Sequence, residues 1–159
     1  MVRDFAGGRS IAIDPAAPAP GRPRWFDLDR FAGDPALRAW ILRCDDLEAA
    51  LARAPGGSGV PMRFARGDLR WRMAVPGDGV LPFDGVFPAL IEWQAGGHPA
   101  ARLPDRGVRL HALELTHPRP EALRKELARV LDDPRVTLHA GARPGIVAVL
   151  QTPGGAVRL

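Results

Sequence analysis

Leu37–Ala54 (LRAWILRCDDLEAALARA) and Val108–Val130 (VRLHALELTHPRPEALRKELARV) are one pattern written twice: a short apolar strand, a turn, then a helix. In the first, Asp45-Asp46 end the strand and supply an N-cap, with Leu47, Leu51 and Ala54 along one helical face. In the second, Pro118-Arg-Pro120 opens the helix, and Leu123, Leu127, Val130 and Leu131 recur at helical spacing. Strand-like segments follow each unit, so the order β-α-β-β appears in both halves.

Working outward, Pro55-Gly56-Gly57-Ser58-Gly59 stops the first helix. Leu69–Val75 then alternates as a strand, with Leu69, Trp71, Met73 and Val75 on one face and Arg70 and Arg72 on the other. Pro76-Gly-Asp-Gly79 turns the chain into a strand over Val86–Trp93, interrupted at Pro88. Gln94–Gly107 reads as a loop carrying His98. Val136–Ala140, Ile146–Thr152 and Ala156–Leu159 complete the second half. Upstream, Ser10–Ile13 suits one short strand. The proline-rich run from Pro15 holds the backbone extended with few free N–H groups. Trp25–Leu28 should pack a short turn against the main body. The expected division is an extended arm over 1–24 and one domain over 25–159, with repeats at 37–93 and 108–159. Two β-α-β-β(-β) modules define an α+β fold: a curled, mostly antiparallel sheet around a cleft, with the helices outside.

At 159 residues the chain buries roughly 70% of its unfolded surface and sustains its own core. The 46% hydrophobic and 25% charged residues are those of an ordinary globular chain. No apolar run reaches the roughly 18 residues of a membrane span, and MVRDFAGGRS lacks a signal peptide's apolar segment. A cytoplasmic location, with no membrane partner, is the expectation. Cys44 is the single cysteine, so no intrachain disulfide forms; its strand position predicts a buried, unreactive thiol. The pI near 10.8 overstates a formal charge of only +4. Every basic residue but Lys125 is arginine, and the arginines are scattered among acids with no block of like charge. That distribution argues against a nucleic-acid partner.

Several stretches together resemble the bacterial glyoxalase-like domain proteins of the glyoxalase/vicinal-oxygen-chelate superfamily. They are Arg66-Gly-Asp-Leu-Arg-Trp-Arg72, Leu81-Pro-Phe-Asp-Gly85, Leu90-Ile-Glu-Trp93 with His98-Pro-Ala100, Leu115-Thr-His-Pro118, the strand–DDLEAAL–helix opening and the terminal TPGG turn. The likeness runs from about Ile11 to Leu159. It implies paired modules folded over a cleft; family members usually carry a further strand–helix–strand segment upstream, and the expectation is that this chain is a shortened member beginning after it. In the superfamily's metal enzymes, a histidine on the first strand of each module and a late Glu or Gln hold a divalent ion. Alignment on that pattern puts Ala39 and Leu110 at the histidine positions and Ala-Val-Arg-Leu at the last carboxylate position. Only Glu92 stands near a late-strand ligand position. The resemblance therefore implies no metal and no cofactor.

The remaining chemistry-bearing residues have competing readings. His111 shares strand parity with Leu113 and Leu115 and suits a core or edge role. His117 reads as a turn residue and His139 as an exposed hairpin residue, while His98 is the histidine best placed for function. Arg43 and Glu114 occupy matching positions in the two repeats and are expected to pair in or beside the cleft. Arg70 and Arg72, with Trp71, Glu92 and Trp93 nearby, either grip a carboxylate or phosphate or bridge to Asp68, Asp78 or Asp84. The ligand-binding candidates are thus Arg43, Arg70, Arg72, Glu92, Trp93, His98 and Glu114.

The leading expectation is a glyoxalase-like domain that binds a small anionic organic molecule without metal. One alternative is a metal-dependent lyase, dioxygenase or isomerase completed by a partner subunit. The other is a non-catalytic homodimeric interaction module in which the proline-rich arm crosses to a second copy. A homodimer is the expected state in any case, since a shortened sheet leaves an edge to cover.

Overall fold

The structure is a computed structural model that describes residues 2–3, 10–11, 23–30, 32, 36–95 and 98–159. Most of the proline-rich arm and the Gly96-Gly97 pair lie outside the described residues. Of the arm, β1 (Val2–Arg3) and β2 (Ser10–Ile11) form an antiparallel ladder.

The first half runs β3 (Ile41–Arg43), α1 (Leu47–Arg53), β4 (Val60–Arg66), β5 (Leu69–Val75) and β6 (Ala89–Ala95). The second runs β7 (Arg109–His117), α2 (Pro120–Leu127), β8 (Val136–Ala140), β9 (Gly145–Thr152) and β10 (Gly155–Arg158). Both halves are β-α-β-β-β modules, and the α+β class stands. The strands form two four-stranded sheets, ordered β3-β6-β5-β4 and β10-β9-β7-β8. Each sheet is antiparallel except for one parallel pair, β3 with β6 in the first and β7 with β8 in the second. The same element order is therefore laid out differently. The opening strand is an edge in the first sheet and an interior strand in the second. Length accounts for this: a three-residue β3 is suited to an edge, whereas the nine-residue β7 pairs on both sides.

Local chemistry sets the helix ends. Asp46 accepts a hydrogen bond from the Ala49 N–H at 2.9 Å as the N-cap of α1, and Pro55 follows its last turn. Pro120 opens α2, where a missing N–H costs nothing. Alternation along β5 and β6 then divides the first sheet. Ala74 and Leu90 meet Leu47 and Ala50 of α1 on one face. Phe64, Met73, Val75 and Ile91 pack on the other, with Trp71 and Trp93 against them. Trp25 closes on this second face, its ring 5.0 Å from that of Phe64 in an edge contact. The turn at Trp25–Asp27 is held by Asp27 N–H donating to the Gly79 carbonyl at 3.1 Å. A side chain at Gly79 would meet the Arg24 carbonyl oxygen at 2.4 Å, so only glycine fits there.

The halves join through the β5–β6 connection. Val86 and Phe87, both fully buried, pack with Leu113, Leu115, Leu123, Leu127 and Ala148 of the second half. The Trp40 indole N–H donates to the Val86 carbonyl at 2.8 Å and fixes that connection from the first half.

Cys44 is half-buried, its thiol directed at the Ile91 carbonyl at 3.4 Å. Burial, then the negative field of Glu92, Asp45 and Asp46, pushes the thiol up to about 11. Thiol-directed alkylation of the native protein at pH 8 is accordingly expected to run about 100-fold slower than for free cysteine, because the thiolate is the reactive form. Alkylation at the free-cysteine rate, followed by mass spectrometry, would contradict this environment.

Candidate functional site

The sequence-predicted candidates do not assemble into one site. Arg72 and Glu92 come together on the α1 face of the first sheet. Arg72 donates to both Glu48 oxygens, at 2.5 and 2.6 Å, and to Glu92 Oε2 at 2.5 Å. The same Glu92 oxygen accepts the Leu47 N–H at 2.9 Å, at the first turn of α1. These charges are spent on seating a helix, and the Asp68, Asp78 or Asp84 partners expected for Arg72 are replaced by Glu48 and Glu92. Arg70 instead donates to the Gly67 and Leu69 carbonyls at 2.6 and 2.9 Å. Trp93 projects to the opposite face, 5.4 Å from the Trp71 ring and 5.6 Å from that of His98. His98 Nδ1 accepts the Ala100 N–H at 3.1 Å, capping a short turn over Pro99–Arg102.

The expected Arg43–Glu114 pair does not form. Arg43 lies beside Asp45 at 3.5 Å, and Glu114 takes both ends of Arg158, at 2.9 and 2.7 Å. Matching positions in the repeats would meet only if the two sheets had the same strand order, and they do not. His111 is exposed because the register between β7 and β9 shifts between Leu110 and Ala112, which breaks the parity carried from Leu113. His139 is exposed, as expected.

His117 is the larger correction. It closes β7 and its side chain is only 2% exposed, so it is a core residue and not a turn residue. Its Nδ1 accepts the Arg119 N–H at 3.0 Å. That acceptor role leaves the ring proton on Nε2, which faces Asp84 Oδ2 at 3.3 Å. The ring is thereby fixed between the Arg119 backbone and the Asp84 carboxylate.

Asp84 sits on an unusual turn. Phe83 and Asp84 have φ of 56° and 54°, followed by Gly85 at 90°. Two successive left-handed non-glycine residues cost roughly 1–3 kcal/mol each and persist only where the surroundings over-determine them. Here the Gly85 N–H donates to the Leu81 carbonyl at 3.0 Å, Val86 to Phe83 at 3.0 Å, and Phe87 to Pro82 at 3.1 Å. The Phe83 ring stands 5.3 Å from His117 with the Arg119 guanidinium 5.4 Å over it. The result is a rigid spur that projects a carboxylate, 70% exposed, out of a buried frame.

That carboxylate borders a cleft of about 360 Å³ between the two halves. Leu37, Arg38 and the Asp84–Val86 segment form one wall; the β8–β9 turn, Arg143–Ile146, forms the other. Asp27 at its rim is taken up by Arg30 at 2.5 Å and Arg38 at 3.8 Å. Arg143 has no hydrogen bond or ion pair among the described residues. A charge-bearing wall of opposite sign thus faces Asp84 across a space that fits a small organic molecule. None of these residues was a candidate from the sequence. Asp84 entered only within the Leu81–Gly85 stretch of the family resemblance and as a partner for Arg70 or Arg72. The signal available was the parity Leu113–Leu115–His117, which puts His117 on the core face.

This arrangement of two unlike β-α-β-β-β modules joined across a polar cleft defines the class: an α+β paired-module protein. The glyoxalase-like domain family model matches residues 10–131, and the chain belongs to that family. No curated protein matches it. A hypothetical protein from Staphylococcus aureus, known from a crystal structure, is similar at 9% identity with a TM-score of 0.45. The match covers 74% of this chain and 62% of that one.

The superfamily's divalent ion does not fit these residues. Ala39 is partly buried against the aromatic face of the first sheet, and Leu110 is 37% exposed near the start of β7. Neither side chain carries a donor atom. Among the described residues, no three His, Cys, Asp or Glu side chains gather where they could hold a metal.

Proposed function

We propose that this glyoxalase-like domain protein binds a small organic anion in the cleft between its modules, without a divalent ion. The observation that carries this is the pairing of that cleft with Arg143, an exposed guanidinium on its wall that no acid neutralises among the described residues. Arginine grips carboxylate and phosphate through two parallel hydrogen bonds, which suits it to orienting a small anion. Arg38 lies on the facing wall, so a bound anion would sit between two guanidinium groups, one already engaged with Asp27.

Isothermal titration with small carboxylates such as hexanoate and 3-phenylpropionate tests the reading. Binding is expected, and Arg143→Ala is expected to weaken it at least about 10-fold, the effect of losing a charge-assisted hydrogen bond of roughly 1.5–3 kcal/mol. Absence of binding, or equal affinity in the variant, would refute it.

A further inference from the structure

We infer that the molecule held in this cleft is zwitterionic, an amino-carboxylate whose ammonium group is taken by Asp84. This deepens the anion-binding reading and rests on it. The cleft carries two charges that nothing else in the described structure neutralises. Arg143 is one. Asp84 is the other: its partner is His117 Nε2, which faces it while Nδ1 accepts the Arg119 N–H. One carboxylate oxygen is used in that contact and the other is free, with no arginine within ion-pair distance among the described residues. By contrast Asp27, at the rim of the same cleft, is compensated by Arg30 and Arg38.

Asp84 and Arg143 line one cleft and do not pair with each other. The left-handed turn at Phe83–Asp84 and the buried imidazole hold the carboxylate in place. A rigid acid facing an unpaired guanidinium across a small volume is complementary to a molecule carrying both an ammonium and a carboxylate. Either charge alone would leave Asp84 or Arg143 uncompensated.

The test compares each amino compound with its deaminated counterpart: 6-aminohexanoate with hexanoate, and phenylalanine with 3-phenylpropionate. Titration of the whole protein is expected to show at least one amino compound binding about 10-fold or more tighter than its counterpart. Asp84→Asn should abolish that preference and leave carboxylate binding in place. Asparagine keeps an acceptor for His117 and tolerates the left-handed backbone, so the thermal midpoint should not move. Carboxylates bound without preference for the amine, or a preference that survives Asp84→Asn, would overturn the inference while sparing the anion-binding reading. Failure of both classes to bind would remove both.

Discussion

Phe87→Ala is expected to destabilise the protein by about 4 kcal/mol, within the range measured for large-to-small changes at fully buried aromatics. Phe87 has no exposed surface and belongs to the first half by sequence, yet its ring packs among Leu113, Leu115 and Leu123 of the second. The backbone around it is pinned by hydrogen bonds at Phe83, Pro82 and Trp40, so the site has little freedom to collapse onto the cavity. Urea denaturation followed by tryptophan fluorescence reads the loss as a lower midpoint at unchanged slope. Phe87→Leu, which keeps most of the volume, should cost far less. A loss under about 1 kcal/mol for the alanine variant would mean that the two halves do not share a core through this ring.

The second large effect is expected at Arg72. Its side chain is 17% exposed and that of Glu92 13%, so the pair is part-buried. Arg72→Met leaves the Glu48 and Glu92 carboxylates facing one another with their cation gone. Breaking a part-buried pair in this way costs about 2 kcal/mol, between the values for exposed and for fully buried pairs. The pH dependence carries a definite sign. The Arg72 hydrogen bond, aided by the Leu47 N–H, holds the Glu92 carboxyl below its ordinary 4.5. A depressed carboxyl contributes stability that is fully present above the unfolded value and is lost as pH falls through the folded one. The wild type should therefore lose stability below about pH 4.5, and Arg72→Met should lose less over the same range. Equal acid sensitivity in the two proteins, measured by urea midpoints at pH 7 and below pH 4.5, would contradict the network. Arg72 Nε is buried without an acceptor, so the arrangement is not an optimal one.

Strand parity made much of this legible in advance. Alternation over Leu69–Val75 correctly separates Trp71 and Met73 from Arg70 and Arg72, and the spacing of Leu123 and Leu127 marks the buried side of α2. Parity cannot say which face a helix will cover. That is why Arg72 and Glu92 looked like ligand-binding groups and proved to be the anchor of α1. Repeat alignment failed for a related reason. It equates Arg43 with Glu114 by position, but hydrogen-bond pairing between strands distant in sequence decides where a strand sits in its sheet. His117 is within reach of parity, but the proline that follows it is equally the mark of a turn. Asp84 and Arg143 lie in connections with no periodic signal, and only the meeting of the two halves brings them to one cleft.

The unlike strand orders of the two sheets bear on how any guest is seated. A protein built from matched halves has a pseudo-twofold axis and can present the same surroundings to a molecule turned end over end. Here β3 borders one sheet while β7 runs inside the other, so no such axis relates the walls. A guest in this hollow would meet one environment at each end, and only one orientation could satisfy both.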